Sequence, residues 1–413
     1  MEKNNVTVVG AGVVGIMSAL HLQEEGVSVT VIDRQRPGNE CSYGNAGVLG
    51  SATCIPISMP GVLYNVPGWI LDPKGPLTIN WKHAIRLFPW LHHFIRSGKK
   101  ERVIEIADAL DKLHKPTIGI YKHYASLASL ENLIKENGYL HLFGSEESFN
   151  STLFAREIRK GRGIKFSVLS RGEIKDLEPA LERGFEKGIL IERDGHTTNP
   201  AKLVSGLAEL FKLRGGKIIR SDVTSIRFDN GKPKFLTTSS GKYLFENLVI
   251  CAGAWSRGLL RQLGEKVLLE AERGYHIEIK DPGVEISRPV FFVDKKFLAT
   301  SMEGGLRLAG TAEYNNLHAP PDFNRARILL PQAKKVFRDF DADNYSEWMG
   351  SRPSTPDSMP VICKSRKYDS IFYAFGHGHT GMAGAPMTGK LISELVAGKT
   401  PSIDISPFSL YRF

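Results

Sequence analysis

Val6-Thr-Val-Val-Gly10-Ala-Gly12-Val-Val-Gly15 is the stretch that decides how the rest of the chain is read. Val6 to Val9 form a short β-branched run of the kind a strand buried on both faces needs. Three glycines spaced G-x-G-x-x-G follow, and an apolar segment continues through Leu22 with helical character. A second strand, Val27-Ser-Val-Thr-Val-Ile32, ends in Asp33. Alone, the glycine spacing is a weak signal. With the strand before it, the helix after it and the acidic residue in place, it reads as a βαβ dinucleotide-binding turn. Gly10 permits the tight turn, Gly12 lets the backbone approach a pyrophosphate, and Gly15 allows close helix–strand packing. Val13 and Val14 open the helix, whose free N–H groups face the phosphates. Asp33 suits a ribose 2′-hydroxyl, which argues against a 2′-phosphate and so against NADP. The fingerprint does not separate FAD from NAD.

The whole chain sets wider bounds. Its 413 residues favour two domains, and 42% hydrophobic with 24% charged residues is an ordinary globular balance. The first residues run straight into a strand, with no secretory h-region. No apolar run approaches the ~20 residues that span a bilayer. Cys41, Cys54, Cys251 and Cys363 are widely spaced and form no C-x-x-C pair. That pattern suits reduced thiols in a cytoplasmic protein and gives no metal site. The net charge of +10 is spread along the sequence without a nucleic-acid-binding signature, so no nucleic-acid partner is expected.

Residues 60–100 stand apart. They combine Trp69, Ile70, Leu71, Trp81, Leu87, Phe88, Trp90, Leu91 and Phe94 with Lys82, Arg86, Arg96, Lys99 and Lys100. Trp90, Leu91, Phe94 and Ile95 are spaced to share one helical face. Two readings stand: a basic amphipathic helix resting on an anionic membrane, or a helix packed on the protein's own core, the commoner case.

Further motifs follow in order. They are Cys41-Ser-Tyr-Gly-Asn-Ala-Gly47, Leu177-Glu-Pro-Ala-Leu181, Asp194-Gly-His-Thr-Thr-Asn-Pro200 and Cys251-Ala-Gly-Ala-Trp255. Then come Glu272-Arg-Gly-Tyr-His276, Leu308-Ala-Gly-Thr-Ala-Glu313, Trp348-Met-Gly-Ser-Arg-Pro-Ser-Thr-Pro-Asp357 and Phe375-Gly-His-Gly-His-Thr-Gly381. In this order they resemble the D-amino-acid oxidase superfamily of flavoproteins, most closely the bacterial D-amino-acid dehydrogenase small-subunit group.

The resemblance implies an α/β fold: a glutathione-reductase-like Rossmann domain for noncovalent FAD, and a mixed-sheet substrate domain over the flavin. The expected FAD domain is discontinuous, residues 1–90, 147–262 and 345–413, leaving 91–146 and 263–344 to the substrate domain. Within 91–146, Val103, Ile106, Leu110 and Leu113 recur at helical spacing and should face a core. Besides the fingerprint, the cofactor contacts it implies are Asp33, Arg34, Ser42, Asn45, Ala46, Gly47, Val223, Ala252, Gly253, Trp255 and Arg352. Gly378, His379, Thr380, Gly381 and Met382 complete that set, on a glycine loop that opens a helix near Met382–Leu395. The N-terminus of that helix suits the negative charge of a reduced flavin.

The implied reaction is oxidative deamination of a D-amino acid or cyclic imino acid, such as D-proline or hydroxy-D-proline, by hydride transfer from Cα to flavin N5. Arg352 is the expected carboxylate ligand, since a guanidinium presents a bidentate fork. Its bland alternative is an internal ion pair with Asp357. Tyr275 is either a hydroxyl donor to the substrate or a core residue with a satisfied hydroxyl, and both readings stay open. His276, His377 and Gly378 are expected at the substrate, with Arg273 flanking the pocket. His379 joins Arg352 and Tyr275 as a candidate catalytic group. His377 and His379 lack the partners that zinc requires, so they are not read as a metal site. The electron acceptor is expected to be a quinone or partner protein, reached from the cytoplasmic membrane face. The rival readings are a glycine- or sarcosine-type oxidase using oxygen, and a non-catalytic flavoprotein subunit.

Overall fold

The computed structural model describes residues 5–62, 68, 72 and 75–413. Trp69, Ile70 and Leu71 of the basic aromatic stretch lie outside the described residues.

The strand Asn5–Val9 forms as its β-branched run predicts, with Val6, Thr7, Val8 and Val9 all buried. It pairs in parallel with Ser28–Asp33 on one side and Asn247–Ile250 on the other. Lys217–Arg220 and Ile371–Phe375 extend the sheet in parallel, and Val361–Lys364 closes it antiparallel, giving six strands. Parallel pairing brings Gly10, Asp33, Cys251 and Gly376, each just at or beyond a strand's carboxyl end, to one edge of the sheet. Open α/β sheets bind ligands at that edge. The sequence motifs therefore converge because of strand direction, not sequence proximity.

The helix Val13–Glu24 follows the first strand and packs against the C-terminal helix Gly381–Val396. Their approach requires Gly389, where a Cβ would stand 2.7 Å from the Met17 backbone. Pro386 removes one N–H inside the second helix and so frees the carbonyl of Met382. The Tyr121 hydroxyl donates to that carbonyl at 2.8 Å. An antiparallel meander, Val223–Asp229, Lys232–Thr238 and Gly241–Leu244, flanks the six-stranded sheet's segments in sequence.

A second, nine-stranded mixed sheet runs from Tyr345–Ser354 through Glu270–Ile279, Gly305–Tyr314, Phe297–Met302, Val290–Phe292, Tyr139–Phe143 and Lys187–Ile191 to Ser167–Ser170, with Leu77–Ile79 beside Gly305–Tyr314. Sheet membership departs from the partition expected from sequence. Ser167–Ser170, Lys187–Ile191 and Tyr345–Ser354 lie within stretches expected in the FAD domain, yet they pair into this second sheet. Motif order could not show this, because strand pairing joins residues far apart in sequence. Val103, Ile106, Leu110 and Leu113 are fully buried on the helix Lys100–His114, as their spacing predicts. Their core is continuous with that of the first strand and the C-terminal helix.

The helix Trp81–Ser97 divides the aromatic stretch between two faces. Asn80 caps it, accepting the Lys82 N–H at 3.0 Å. Leu87 and Trp90 are buried, and the Trp90 indole donates to the Ser354 carbonyl at 3.0 Å. Trp81, Ile85 and Phe88 are exposed by 76%, 85% and 69%. The expected shared face is corrected in one member: Trp90, Leu91 and Phe94 turn inward, whereas Ile95 joins the exposed side.

Candidate active site

One cavity of about 1430 Å³ runs along the carboxyl edge of the six-stranded sheet and beneath the nine-stranded one. It exceeds the roughly 300–1,000 Å³ usual for a single small ligand. The fingerprint lies along it. Gly10 has φ +113°, and a Cβ there would meet the Cys251 carbonyl oxygen at 2.4 Å. A Cβ on Gly15 would stand 1.9 Å from the Gly10 carbonyl oxygen. Both glycines are thus required by the protein's own packing. Gly12 is different: its nearest protein neighbour would be the Ser42 hydroxyl at 3.6 Å, and it lines the cavity. Nothing in the protein itself demands glycine there, whereas a pyrophosphate held against the backbone does.

Asp33 anchors this turn. Its Oδ2 accepts the Ala11 N–H at 2.6 Å and its Oδ1 accepts from Gln35 at 2.7 Å. The Val13 N–H, expected to be free, donates to Ser42 Oγ at 3.0 Å, while Val14 lines the cavity. Arg34 lies 3.9 Å over the Trp255 ring and pairs with Glu40 at 2.8 Å. Val223, Ala252, Gly253, Asn45 and Ala46 line the same cavity. Gly47 does not: it has φ +81°, and a Cβ would strike the Thr197 carbonyl at 2.5 Å, so it serves the turn behind the wall. These residues fit FAD, with a cradle for the pyrophosphate at Gly12 and room beyond it for the ring system.

At the other end, the register of two strands builds a polar cluster. Glu272 pairs with Arg352, and Gly274 with Gly350, between Glu270–Ile279 and Tyr345–Ser354. Arg352 Nη1 donates to Glu272 Oε1 at 3.0 Å, and its Nη2 makes no hydrogen bond to the described protein. His379 Nε2 meets the same oxygen at 2.5 Å, and the Tyr314 hydroxyl donates to Oε2 at 3.4 Å. Burial pushes the Glu272 carboxyl up, but His379 and Arg352 outweigh it and hold it at about 2. An ionised carboxylate only accepts, so His379 Nε2 carries the hydrogen between them. Arg352 lies flat across Gly274, where a Cβ would come within 2.1 Å of its Cζ. The ion pair with Asp357 does not form; Asp357 pairs with Arg412 at 2.8 Å.

Three expectations are corrected. The Tyr275 hydroxyl donates to Glu313 at 2.5 Å on the opposite face of the sheet, within its core, and does not line the cavity. Arg273 is fully buried on that face too, 3.2 Å from Glu313. His276 is on the cavity side, but its ring stacks on Trp348 at 5.0 Å and is bonded to the Gly44 carbonyl at 3.1 Å, so it is covered. Alternation along a strand explains the first two: with Glu272 inward, Arg273 and Tyr275 must point away. His377 is buried and bonded to Thr388 at 2.8 Å; burial holds it near 3, so it is neutral. Gly378, His379, Thr380, Gly381 and Met382 all line the cavity, as expected. Glu272 and Tyr314 were not singled out from sequence. The parity of the E-R-G-Y-H strand relative to Arg352 was the signal that could have found them. Replacing Tyr275 with phenylalanine is expected to cost about 1–2 kcal/mol of stability through the lost hydrogen bond. KM for the best substrate should stay within about twofold; denaturant titration and steady-state kinetics together check this.

Comparison with known proteins places this geometry. A family profile described as DAO, FAD dependent oxidoreductase, matches residues 5–395. The chain is 37% identical to a D-amino-acid oxidase of Bradyrhizobium diazoefficiens, covering 100% of this chain and 99% of the relative. It is 28% identical to D-amino acid dehydrogenase 3 of Mesorhizobium japonicum, covering 96% and 98%. Among solved structures it resembles glycine oxidase from Geobacillus kaustophilus, with TM-score 0.77 at 21% identity and full coverage of both chains.

Proposed function

The chain belongs to the DAO family of FAD-dependent oxidoreductases, and we propose that it oxidises the amine carbon of a D-amino acid or a cyclic imino acid such as D-proline or hydroxy-D-proline. Bound FAD supplies the two-electron acceptor for that oxidation. The observation that carries the reading is the Arg352–Glu272–His379 cluster, which offers a carboxylate binder beside an amine binder at the cavity's far end. The free Nη2 edge of Arg352 receives the substrate carboxylate, and Glu272 attracts the ammonium. In its neutral form, with the hydrogen on Nε2, His379 takes the ammonium proton at Nδ1, because only a neutral amine can yield a hydride. Trp90, Leu91 and Phe94 wall the site and exclude water. On this reading the six-stranded sheet and its meander form the FAD domain, and the nine-stranded sheet carries the substrate domain.

The D-amino-acid dehydrogenase relatives support an acceptor other than oxygen, a quinone or partner protein. The D-amino-acid oxidase relative supports oxygen as the second reading. Anaerobic mixing with D-amino acids, D-proline, hydroxy-D-proline, glycine and sarcosine should bleach the flavin with D-amino or imino acids. Slow return of colour in air favours the dehydrogenase; fast return with stoichiometric peroxide establishes the oxidase. A flavin that stays yellow across the panel overturns the function.

The exposed stripe of Trp81, Ile85 and Phe88, beside Lys82, Arg86, Arg96, Lys99 and Lys100, supports peripheral contact with an anionic membrane. No described helix is long and apolar enough to cross one. Serine at Trp81, Ile85 and Phe88 together is expected to weaken sedimentation with phosphatidylglycerol vesicles by about tenfold or more. Equal retention of the variant and wild type removes the stripe from that role.

A further inference from the structure

The cavity does not end at the Arg352 cluster. Its opposite part lies where the strand Tyr139–Phe143 and the helix Leu153–Gly161 approach the segment carrying Asp194. Tyr345–Ser354 and Tyr139–Phe143 are five strand spacings apart in the sheet, about 24 Å at ~4.8 Å each. A single amino acid held by Arg352 does not reach that far.

Three polar side chains with open valences line this chamber. Arg159 is 9% exposed and its Nε is buried without a partner; it makes no hydrogen bond and no ion pair with a described residue. Asp194 is 1% exposed; its Oδ1 accepts the Ala52 N–H at 2.6 Å and its Oδ2 is unpaired. His141 Nε2 is buried and unpaired, with its ring edge-on to Tyr139 at 4.4 Å. Phe143, Phe291, Ile189 and Ile191 supply apolar walls. A buried guanidinium without a counter-ion is costly, and unpaired buried polar atoms add to the cost.

We propose that this chamber is a second binding site, specific for a small carboxylate with an apolar body and separate from the Arg352 end. The Arg159 fork matches a carboxylate, the walls accept a hydrocarbon or aromatic body, and His141 Nε2 and Asp194 Oδ2 are left to complete the hydrogen bonds. Burial raises Asp194 to about 7, against the Ala52 N–H, Arg159 and Arg193. Tyr139 also faces Asp194, and His141 and Cys54 face Arg159; burial, then Arg159, holds His141 near 3 and therefore neutral. Protonated, Asp194 donates to the ligand; ionised, it repels it. Affinity should therefore fall about tenfold between pH 6 and pH 8, as the proton is lost across a pKa near 7. The inference does not depend on which amine is oxidised.

Calorimetric titration of the FAD-loaded protein with benzoate tests it. Wild type should bind two equivalents, Arg352→Met one and Arg159→Met one. Inorganic phosphate, lacking an apolar body, should bind the site that remains in Arg352→Met at least tenfold more weakly than benzoate does. None in Arg352→Met, or two in Arg159→Met, overturns the proposal. Should Arg159→Met not fold, Asp194→Asn in the Arg352→Met background gives an independent test. Its benzoate affinity should change less than twofold from pH 6 to 8, and a persisting tenfold fall overturns the proposal equally.

Discussion

Replacing Arg352 with methionine is expected to lower kcat/KM for a carboxylate-bearing amine by about 10²–10³-fold, with FAD still bound. Two charge-assisted hydrogen bonds to a carboxylate are worth about 3–4 kcal/mol, and each 1.4 kcal/mol is a factor of ten. Most of the loss should fall on KM, since the guanidinium holds the substrate through binding and reaction alike. Lysine should recover little, because a single ammonium cannot reproduce the fork. The substitution also strips Glu272 of one of the two partners that hold its carboxyl near 2, leaving His379 alone. Its carboxyl should therefore titrate higher, and the acid limb of the rate profile should move up. Steady-state kinetics against pH measure both effects; a KM within twofold of wild type removes Arg352 from the site.

Gly10→Ala is expected to abolish FAD retention and to destabilise the fold by several kcal/mol, the largest structural effect at any single position considered. The new Cβ would sit 2.4 Å from the Cys251 carbonyl oxygen, and that oxygen belongs to a strand end that cannot swing aside. The backbone at φ +113° is itself one that an L side chain rarely adopts. Overpacking and strain each cost about 1–3 kcal/mol, and here they act on the same residue. Gly12→Ala is the informative companion. It meets no protein atom closer than 3.6 Å, so thermal stability without cofactor should be nearly unchanged while FAD affinity falls sharply. Equal FAD affinity in Gly12→Ala and wild type contradicts the assignment of Gly12 to the pyrophosphate.

The two glycines show why the cofactor end was legible without coordinates. A tight turn, a close helix–strand contact and a phosphate approach are all requirements on neighbouring backbone, and glycine spacing records them directly. The substrate end behaved differently. The strand Glu272-Arg-Gly-Tyr-His276 offers two opposed faces, and its own pattern carries charged or polar groups on both. Sequence alone left Tyr275 open between a substrate hydroxyl and a core residue with its hydroxyl satisfied. Pairing of Glu272 with Arg352 settled the matter in favour of the other face. In the helix Trp81–Ser97, aromatic residues lie on two sides, and only the position of Ser354 and Tyr314 shows that Trp90 is the inward one.

By itself, the sequence marked the Rossmann half, the flavin family and Arg352, because each rests on a local backbone demand or a contiguous motif. The tertiary structure alone decided which face of each strand looks into the cavity, and that Arg159, Asp194 and His141 share a chamber. Period-2 alternation fixes which residues share a face but not which face is inward. That choice belongs to the sheet's partners, which come from distant parts of the chain.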